Sequence, residues 1–166
     1  MVAAFEARGS LPDADLRSAS AIDADDVAAL LSALGYPCDA ARRIATITAN
    51  DRQALVVARC GGMVTGLVAL DFMYYLPLDT TTCRITALVV SPGAQGRGLG
   101  RQLLREAERC RRHARPAARS GRPPDAAGAA RIELTSGSQR SEAHAFYRAC
   151  GFSDGTLRFI KRLGDA

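Results

Sequence analysis

The stretch that most constrains the fold runs from residue 89 to residue 104 and reads VVSPGAQGRGLGRQLL. A β-branched apolar run ends at Val90, a short turn containing Pro92 follows, and apolar residues then recur at helical spacing. Three of the five residues from Gly96 to Gly100 are glycine, so the backbone there can close tightly around a ligand. Because several amide N–H groups can meet in one concavity at a helix N-terminus, this stretch predicts a phosphate or pyrophosphate site.

Three other interpretations of this glycine-rich stretch are a turn without a ligand, a P-loop and a Rossmann fingerprint. A strand-to-helix turn without any ligand stays open. A P-loop is disfavoured, because the Gly-Lys-Ser/Thr ending is missing and the only lysine of the chain is Lys161. A Rossmann fingerprint needs G-x-G-x-x-G, whereas Gly96 to Gly100 follow G-x-G-x-G, and no acidic residue ends a second strand at the right distance.

Two segments together resemble the GNAT superfamily of N-acetyltransferases. Gln95, Gly98 and Gly100 fill the acyl-CoA pyrophosphate signature Q/R-x-x-G-x-G/A, directly after an apolar strand. About forty residues later, the runs 133–136, 143–147 and 151–152 (ELTS, AHAFY and GF) are similar to the last strand, the tyrosine-bearing helix and the turn of that superfamily. The resemblance extends more loosely from Leu16 to Leu163.

The resemblance implies a fold and an activity. The fold is α/β (α+β), a single GNAT-like domain whose mixed, mostly antiparallel sheet is flanked by helices. The activity is direct transfer of an acetyl group from acetyl-CoA to a primary amine, with no covalent enzyme intermediate and no metal. The acceptor is a small molecule or a peptide, and a homodimer is compatible with the family.

The resemblance also assigns roles to residues. Tyr147 falls where the general-acid tyrosine of the superfamily lies, and its ordinary phenol pKa near 10 lets it protonate a departing thiolate. A backbone N–H near Leu88 or Val89 is the expected oxyanion donor. The residues implied in acetyl-CoA binding are those of the strand end and the glycine-rich loop: Leu88, Val89, Val90, Gln95, Gly96, Arg97, Gly98, Leu99, Gly100 and Arg101.

Two positions depart from the family pattern. Arg140 stands where many relatives carry asparagine, so a hydrogen bond to pantetheine is lost or replaced. The strand over residues 85–88 lacks the carboxylate that often acts as general base, which leaves water, Asp71 or Glu133 to take the proton of the amine. His144, three residues before Tyr147 on the same predicted helix, is expected to bond to its neighbours rather than to act in catalysis.

Periodicity and turn residues predict the remaining organisation. Residues 1–14 form a flexible N-terminal arm before a domain over residues 15–166. Strands are predicted at 15–20, 53–58, 63–75, 81–90, 131–135 and 157–162, with helices at 23–34, 39–48, after Gly100 and at 141–150. Asp23 is predicted to cap the first helix. Gly61 and Gly62 predict a hairpin turn between the second and third strands, and Gly66 predicts a bulge or a close approach of another strand. Residues 111–128, with five arginines and no apolar pattern, are predicted to form a flexible loop after the end of a helix.

Composition bounds the class of protein. The chain has 166 residues, of which 48% are hydrophobic, and no apolar run approaches the about 18 residues that span a bilayer. Five cysteines without C-x-x-C spacing argue against a disulfide framework or a zinc site and favour the cytoplasm. A formal net charge of +5 suits an anionic ligand such as coenzyme A, and would also suit nucleic acid.

Two rival functions stay open at this point. The first is a non-catalytic module that binds or senses acyl-CoA, which the missing strand carboxylate leaves room for. The second is nucleic-acid binding through the arginine-rich segment 111–128, a less favoured interpretation because arginines also solvate ordinary loops.

Overall fold

The computed structural model describes residues 14–110, 128–155, 158 and 160, and the chain divides into two compact units between Thr135 and Ser136. The first unit contains β1 (Asp15–Ser18), α1 (Ala24–Ala33), α2 (Ala40–Thr48), β2 (Gln53–Cys60), β3 (Met63–Tyr75), β4 (Thr80–Val90), α3 (Leu99–Cys110) and β5 (Arg131–Leu134). The second unit contains α4 (Ser141–Ala149).

The five strands form one sheet in the order β1-β2-β3-β4-β5. The first four strands pair antiparallel with their neighbours, and β5 pairs parallel to β4. The prediction of a mixed, mostly antiparallel sheet flanked by helices is confirmed. A parallel pair needs a long crossover, and α3 lies in the crossover between β4 and β5.

The turn between β2 and β3 follows from its two glycines. Gly61 and Gly62 have φ values of +60° and +87°. Two consecutive residues with positive φ are what a two-residue hairpin turn requires, because the twist of such a turn matches that of the strands. The predicted hairpin is therefore confirmed, with β2 extending two residues further than the sequence suggested.

Helices cover the sheet where apolar residues line one side of each element. Val27 and Leu30 of α1 and Ile44 of α2 are buried in one cluster with sheet residues such as Leu67. In α3, Leu99 and Leu103 are fully buried, and both approach Gly66 of β3. The helical spacing that predicted these segments is thus the spacing that covers the sheet.

Gly66 was predicted to mark a bulge or a close approach, and both are observed. The register shifts beside it, because Thr65 is an extra residue between the partners of Ala58 and Arg59. A Cβ atom on Gly66 would lie 3.0 Å from Leu103 Cδ1 and 3.1 Å from Val89 O. Only glycine therefore lets α3 and β4 approach β3 this closely.

The predicted helix cap at Asp23 needs correction. Asp23 stands at the N-cap position of α1, but its side chain makes no capping hydrogen bond to that helix. Its buried carboxylate instead accepts hydrogen bonds from Arg17 at 2.6 and 2.8 Å and from the Ser20 N–H at 2.8 Å. The bonds from Arg17 and Ser20 hold the pKa of Asp23 below its ordinary value, although burial opposes them.

Several predictions fall on parts of the chain outside the described residues. Three predicted segments lie outside the described residues, apart from residues 14, 128, 158 and 160. They are the N-terminal arm (1–14), the arginine-rich segment (111–128) and the closing strand (157–162). None of the described helices has the length and apolar character needed to cross a bilayer.

Candidate functional site

The end of β4 offers an unpaired strand edge. Along β4, pairing with β3 extends from Thr80 to Val90, whereas pairing with β5 extends only from Thr82 to Ile85. Beyond Ile85, the edge of β4 opposite β3 therefore has no strand partner within the described part of the chain. An extended ligand with amide groups can pair with such an edge.

A bulge in β4 lies where this pairing with β5 ends. Ala69 of β3 pairs with Ala87, but the next residue of β3 pairs with Ile85, so Thr86 is an extra residue. The Thr86 hydroxyl donates a 3.2 Å hydrogen bond to Ala69 O. Bulges bend a strand and re-aim the residues that follow, so this one separates the paired part of β4 from the open edge at Leu88 to Val90.

Hydrogen-bond alternation decides which backbone groups of β4 face outward. The Ser91 N–H donates to Thr65 O at 2.8 Å. Because bonded and non-bonded pairs alternate in an antiparallel ladder, Val89 directs its polar backbone groups toward β3, and those of Leu88 and Val90 point to the open edge. The Gln95 side chain, bonded to Val90 O at 3.0 Å, is consistent with this direction.

The glycine-rich loop connects β4 to α3. A single 3-10 turn over Pro92–Ala94 is followed by Gly96 and Gly98, with φ values of +72° and +85°. These values lie in the region that favours glycine. No atom comes within 4 Å of a Cβ built on either glycine, so both face open space.

Consecutive backbone amides are left without acceptors in this loop. The Gln95 N–H bonds to Pro92 O, and the N–H groups of Arg101 and Gln102 both bond to Gly98 O. Considering residues 14–110 and 128–155, no acceptor is found for the five amides from Gly96 to Gly100. They precede and open α3, where the helix dipole also favours negative charge. The loop therefore has the geometry to bind an anion, and we call these five amides the cradle.

Two arginine side chains add positive charge to this cradle. Arg97 is half-buried, and Arg101, in the first turn of α3, is exposed. The backbone amide of Arg101 is already bonded to Gly98 O, so only its side chain is left to meet a ligand. Leu99 differs in role, because its side chain is buried and anchors the start of α3.

In the second unit, Tyr147 lies on α4 within a small aromatic group. Its ring centroid is 5.3 Å from that of Phe146 and 5.8 Å from that of Phe152. Burial raises the pKa of the half-buried Tyr147 phenol above its ordinary value, with Arg140 opposing the shift. The phenol therefore keeps its proton at neutral pH and can act only as a proton donor there.

The other candidate residues of the second unit are His144 and Arg140. His144 Nε2 lies 2.9 Å from the backbone oxygen of Gly137, as expected for a histidine bonded to its neighbours. Arg140, at the position of the family's asparagine, is the N-cap residue of α4 and makes no side-chain capping bond.

The two candidate bases named from the sequence, Glu133 and Asp71, differ in whether their carboxylates have partners. Glu133 accepts hydrogen bonds on one carboxylate oxygen from Arg84 and on the other from Arg131. Asp71 is half-buried on β3, and its carboxylate has no hydrogen bond or ion pair to any other described residue. The sequence could not separate them, because the arginine partners of Glu133 come from a neighbouring strand and from the same strand.

Metal and disulfide chemistry find no support in the described part of the chain. No group of three or more His, Cys, Asp or Glu side chains there could hold a metal ion. All five cysteines are free thiols.

Comparisons with known proteins identify the family that this chain resembles. The family model for the acetyltransferase (GNAT) domain matches residues 50–154. An aminoalkylphosphonate N-acetyltransferase of Salmonella typhimurium is 29% identical over an alignment of 158 residues that covers 92% of this chain and 94% of the relative.

Solved structures share the fold. A putative acetyltransferase from Agrobacterium tumefaciens superposes with a TM-score of 0.71 at 23% identity, covering 89% of this chain and 99% of that one. A protein from Bacillus halodurans, titled a transcriptional regulator, superposes with a TM-score of 0.74 at 22% identity, covering 90% and 99%.

Proposed function

This chain belongs to the GNAT family of acetyltransferases and is an acyl-CoA-dependent N-acetyltransferase, and we propose that it transfers the acetyl group of acetyl-CoA directly to a primary amine. The observation that carries the proposal is the cradle of five amides, Gly96 to Gly100, at the start of α3. When bound, acetyl-CoA supplies the activated acetyl group.

In this proposal, the glycine-rich loop holds the pyrophosphate. The N–H groups of Gly96, Arg97, Gly98, Leu99 and Gly100 donate to its oxygens, and the Arg97 and Arg101 side chains pair with phosphate charge. Support comes from the open space over Gly96 and Gly98, where a Cβ would meet no atom of the chain. Gln95 contributes by fixing the loop to the strand end through Val90 O.

The open edge of β4 holds the pantetheine arm. Leu88 O and the Val90 N–H form hydrogen bonds with its amide groups, as a strand would, while Val89 keeps the edge attached to β3. The outward N–H of Leu88 then donates to the oxyanion that develops on the acetyl carbonyl. One oriented donor of this kind contributes about 3–4 kcal/mol to catalysis.

Tyr147 is the proposed general acid for the departing thiolate. Its raised pKa supports this role, since a phenol that stays protonated at neutral pH has a proton to give. Because both oxygens of Glu133 accept from arginine, we do not assign it the role of base. Water or Asp71 takes the proton of the amine.

The proposed acceptor is a primary amine on a small molecule or a peptide. The Salmonella relative carries an aminoalkylphosphonate in its name, so such amines belong among the first to be screened. The rival idea of a non-catalytic acyl-CoA sensor is not favoured, because the family match and the named relative are both acetyltransferases. A cytoplasmic location and a homodimer remain predictions from the sequence.

The decisive experiment is a calorimetric titration of the purified protein with acetyl-CoA and with free CoA, followed by thiol release over an amine panel. Micromolar binding of both, with amine-dependent thiol release, is expected. Failure to bind acetyl-CoA at millimolar concentration would show that the glycine-rich loop is only a turn. Binding without thiol release for any amine would favour a non-catalytic acyl-CoA sensor.

A further inference from the structure

One face of the sheet carries a charged group of side chains apart from the glycine-rich loop. Alternation along the strands and direct pairing between them place these residues on the same side. We call this group the charged face, and it consists of Asp71 and Tyr75 of β3, Thr82 and Arg84 of β4, and Arg131 and Glu133 of β5.

Two arginines of the charged face share a single carboxylate. Arg84 donates to Glu133 Oε1 through Nε at 2.9 Å and through a terminal nitrogen at 2.6 Å. Arg131 donates to Glu133 Oε2 at 3.1 Å. Within this group of three side chains, two positive charges meet one negative charge, and the three side chains keep between 28% and 41% of their exposure. The group therefore carries one positive charge in excess, and the second carboxylate of the charged face is that of Asp71.

The guanidinium of Arg131 is held in place from two further sides. Its Nε donates to Thr82 Oγ1 at 3.2 Å, and its central carbon lies 4.1 Å from the centroid of the Tyr75 ring. A guanidinium has five N–H donors, and the contacts named here engage two on Arg131 and two on Arg84. The remaining donors find no acceptor within the described residues, so they form a preorganised site for an oxyanion.

A negative group stands directly across from this positive site. Asp71 pairs in register with Arg84, but Arg84 turns to Glu133, and the described residues offer Asp71 no ion-pair partner. Thr80, which alternates onto the same side, has a buried hydroxyl oxygen with no hydrogen-bond partner in the described chain. The face therefore offers both a cation-binding and an anion-binding group, each incompletely satisfied.

Its position connects this face to the proposed chemistry. Asp71 is two residues from Ala69 along β3, and Ala69 pairs with Ala87, the neighbour of Leu88. The unpaired carboxylate thus lies on the side of the charged face nearer to the open edge of β4. Arg131 lies farther away, opposite Thr82.

We propose that the charged face recognises an acceptor that carries an anionic oxygen group as well as its amine. Asp71 binds the amine end, and the free donors of Arg84 and Arg131 bind a phosphonate, phosphate or carboxylate at the other end. The identification of this ligand as the acceptor rests on the proposed function. The charged face itself, with or without acetyl transfer, is a binding site for a zwitterion.

The test compares a zwitterion with its two halves. The protein, saturated with CoA, is titrated calorimetrically with 2-aminoethylphosphonate, with ethylphosphonate and with ethylamine. We expect the zwitterion to bind about tenfold more tightly than either half, because charge-assisted hydrogen bonds form at both ends. Equal affinity of the zwitterion and ethylamine would overturn the proposal. Replacing 2-aminoethylphosphonate by β-alanine then distinguishes a phosphonate from a carboxylate site.

Variants separate recognition from a merely structural role. Arg131→Gln should weaken the zwitterion and ethylphosphonate about fivefold or more while leaving ethylamine unchanged. Asp71→Asn should weaken the zwitterion and ethylamine while leaving ethylphosphonate unchanged. The control is Arg109→Gln, which removes an arginine that is also paired with a glutamate, on α3, and should change none of these affinities.

The readouts also keep the two proposals apart. If Arg131→Gln weakened CoA binding as much as ethylphosphonate binding, the ion pairs would be structural and the inference would be wrong. If the parent protein failed to bind CoA, the proposed function would fail, whereas the same three titrations on the CoA-free protein would still decide whether the charged face prefers a zwitterion.

Discussion

The side-chain amide of Gln95 donates a 3.0 Å hydrogen bond to the backbone carbonyl of Val90. This contact joins the first residue of the glycine-rich signature to the last residue of β4. The signature glutamine thus has a partner inside the chain, and the bond fixes where the loop leaves the strand. Because this bond ties Gln95 to the end of β4, the cradle of free amides begins directly beside the open strand edge.

Removing this bond should weaken CoA binding without unfolding the protein. Gln95→Ala is expected to raise the Kd for CoA about fivefold, since an intramolecular hydrogen bond contributes about 1 kcal/mol. Gln95 is exposed, so the melting temperature should hardly change. Calorimetric titration measures the Kd, with Gln53→Ala as the control in a glutamine outside the loop. An unchanged Kd would mean that the loop keeps its position without the bond.

A pair of substitutions at Gly98 separates strain from charge. Its φ of +85° makes any side chain costly, by about 1–2 kcal/mol of stability. Gly98→Gln and Gly98→Glu carry similar strain, but only the glutamate places an anion in the cradle. We expect Gly98→Glu to abolish CoA binding and Gly98→Gln to retain part of it. Similar Kd values for the two variants would contradict an anion site.

Gly66→Ala tests the close approach of α3 to β3. The added methyl would lie 3.0 to 3.2 Å from Val89 O and from the leucine side chains of α3, so these neighbours would have to shift. Overpacking of this kind costs about 1–3 kcal/mol. The urea midpoint should fall accordingly. Gly93→Ala is the matched control, because no atom lies within 4 Å of a Cβ there and its φ is not positive. Equal midpoints for both variants would show that α3 shifts freely.

Tyr147→Phe should leave CoA affinity intact and slow turnover about a hundredfold. The protonated phenol is the active form, and burial raises its pKa. Turnover of the parent should therefore persist up to the ordinary phenol value of about 10 and fall only as pH rises through the raised pKa. The pH profile of kcat measures this. If the variant kept the turnover of the parent, Tyr147 would only pack its ring.

Asp23 should make stability depend on pH. Its folded pKa is lowered by Arg17 and Ser20, so its contribution is complete above the ordinary carboxyl pKa of about 3.9 and is lost as pH falls through the lowered value. Asp23→Ala should cost about 2 kcal/mol at neutral pH, the typical loss for hydrogen bonds to a charged group. Urea unfolding between acid and neutral pH measures both. Asp25→Ala, on the exposed side of α1, serves as the control.

Much of the fold could be predicted from local patterns. The hairpin at Gly61 and Gly62, the strand over Met63–Tyr75 and the helix that follows Asp39 all depend on residues close together in the chain. The cap at Asp23 was mispredicted because Arg17, six residues away on another element, takes its carboxylate. A local pattern cannot show a competitor that reaches the residue through folding.

The glycine-rich loop could also be predicted from the sequence, because the spacing of its glycines before an amphipathic helix is a local pattern. The absence of acceptors for its amides could not be predicted in this way. That five amides find no acceptor depends on where Gly98 O, Pro92 O and the Gln95 side chain direct their own bonds.

The sequence by itself determined the order of the described elements, the hairpin turn and the position of the glycine-rich loop, since each follows from periodicity and backbone freedom over a few residues. Only the tertiary structure decided that β5 stops pairing at Ile85, that Thr86 bulges, and that Glu133 is neutralised while Asp71 is not. These features depend on pairing register and on contacts between residues that are distant in the sequence. Local sequence patterns do not show which carboxylate will lie beside an arginine.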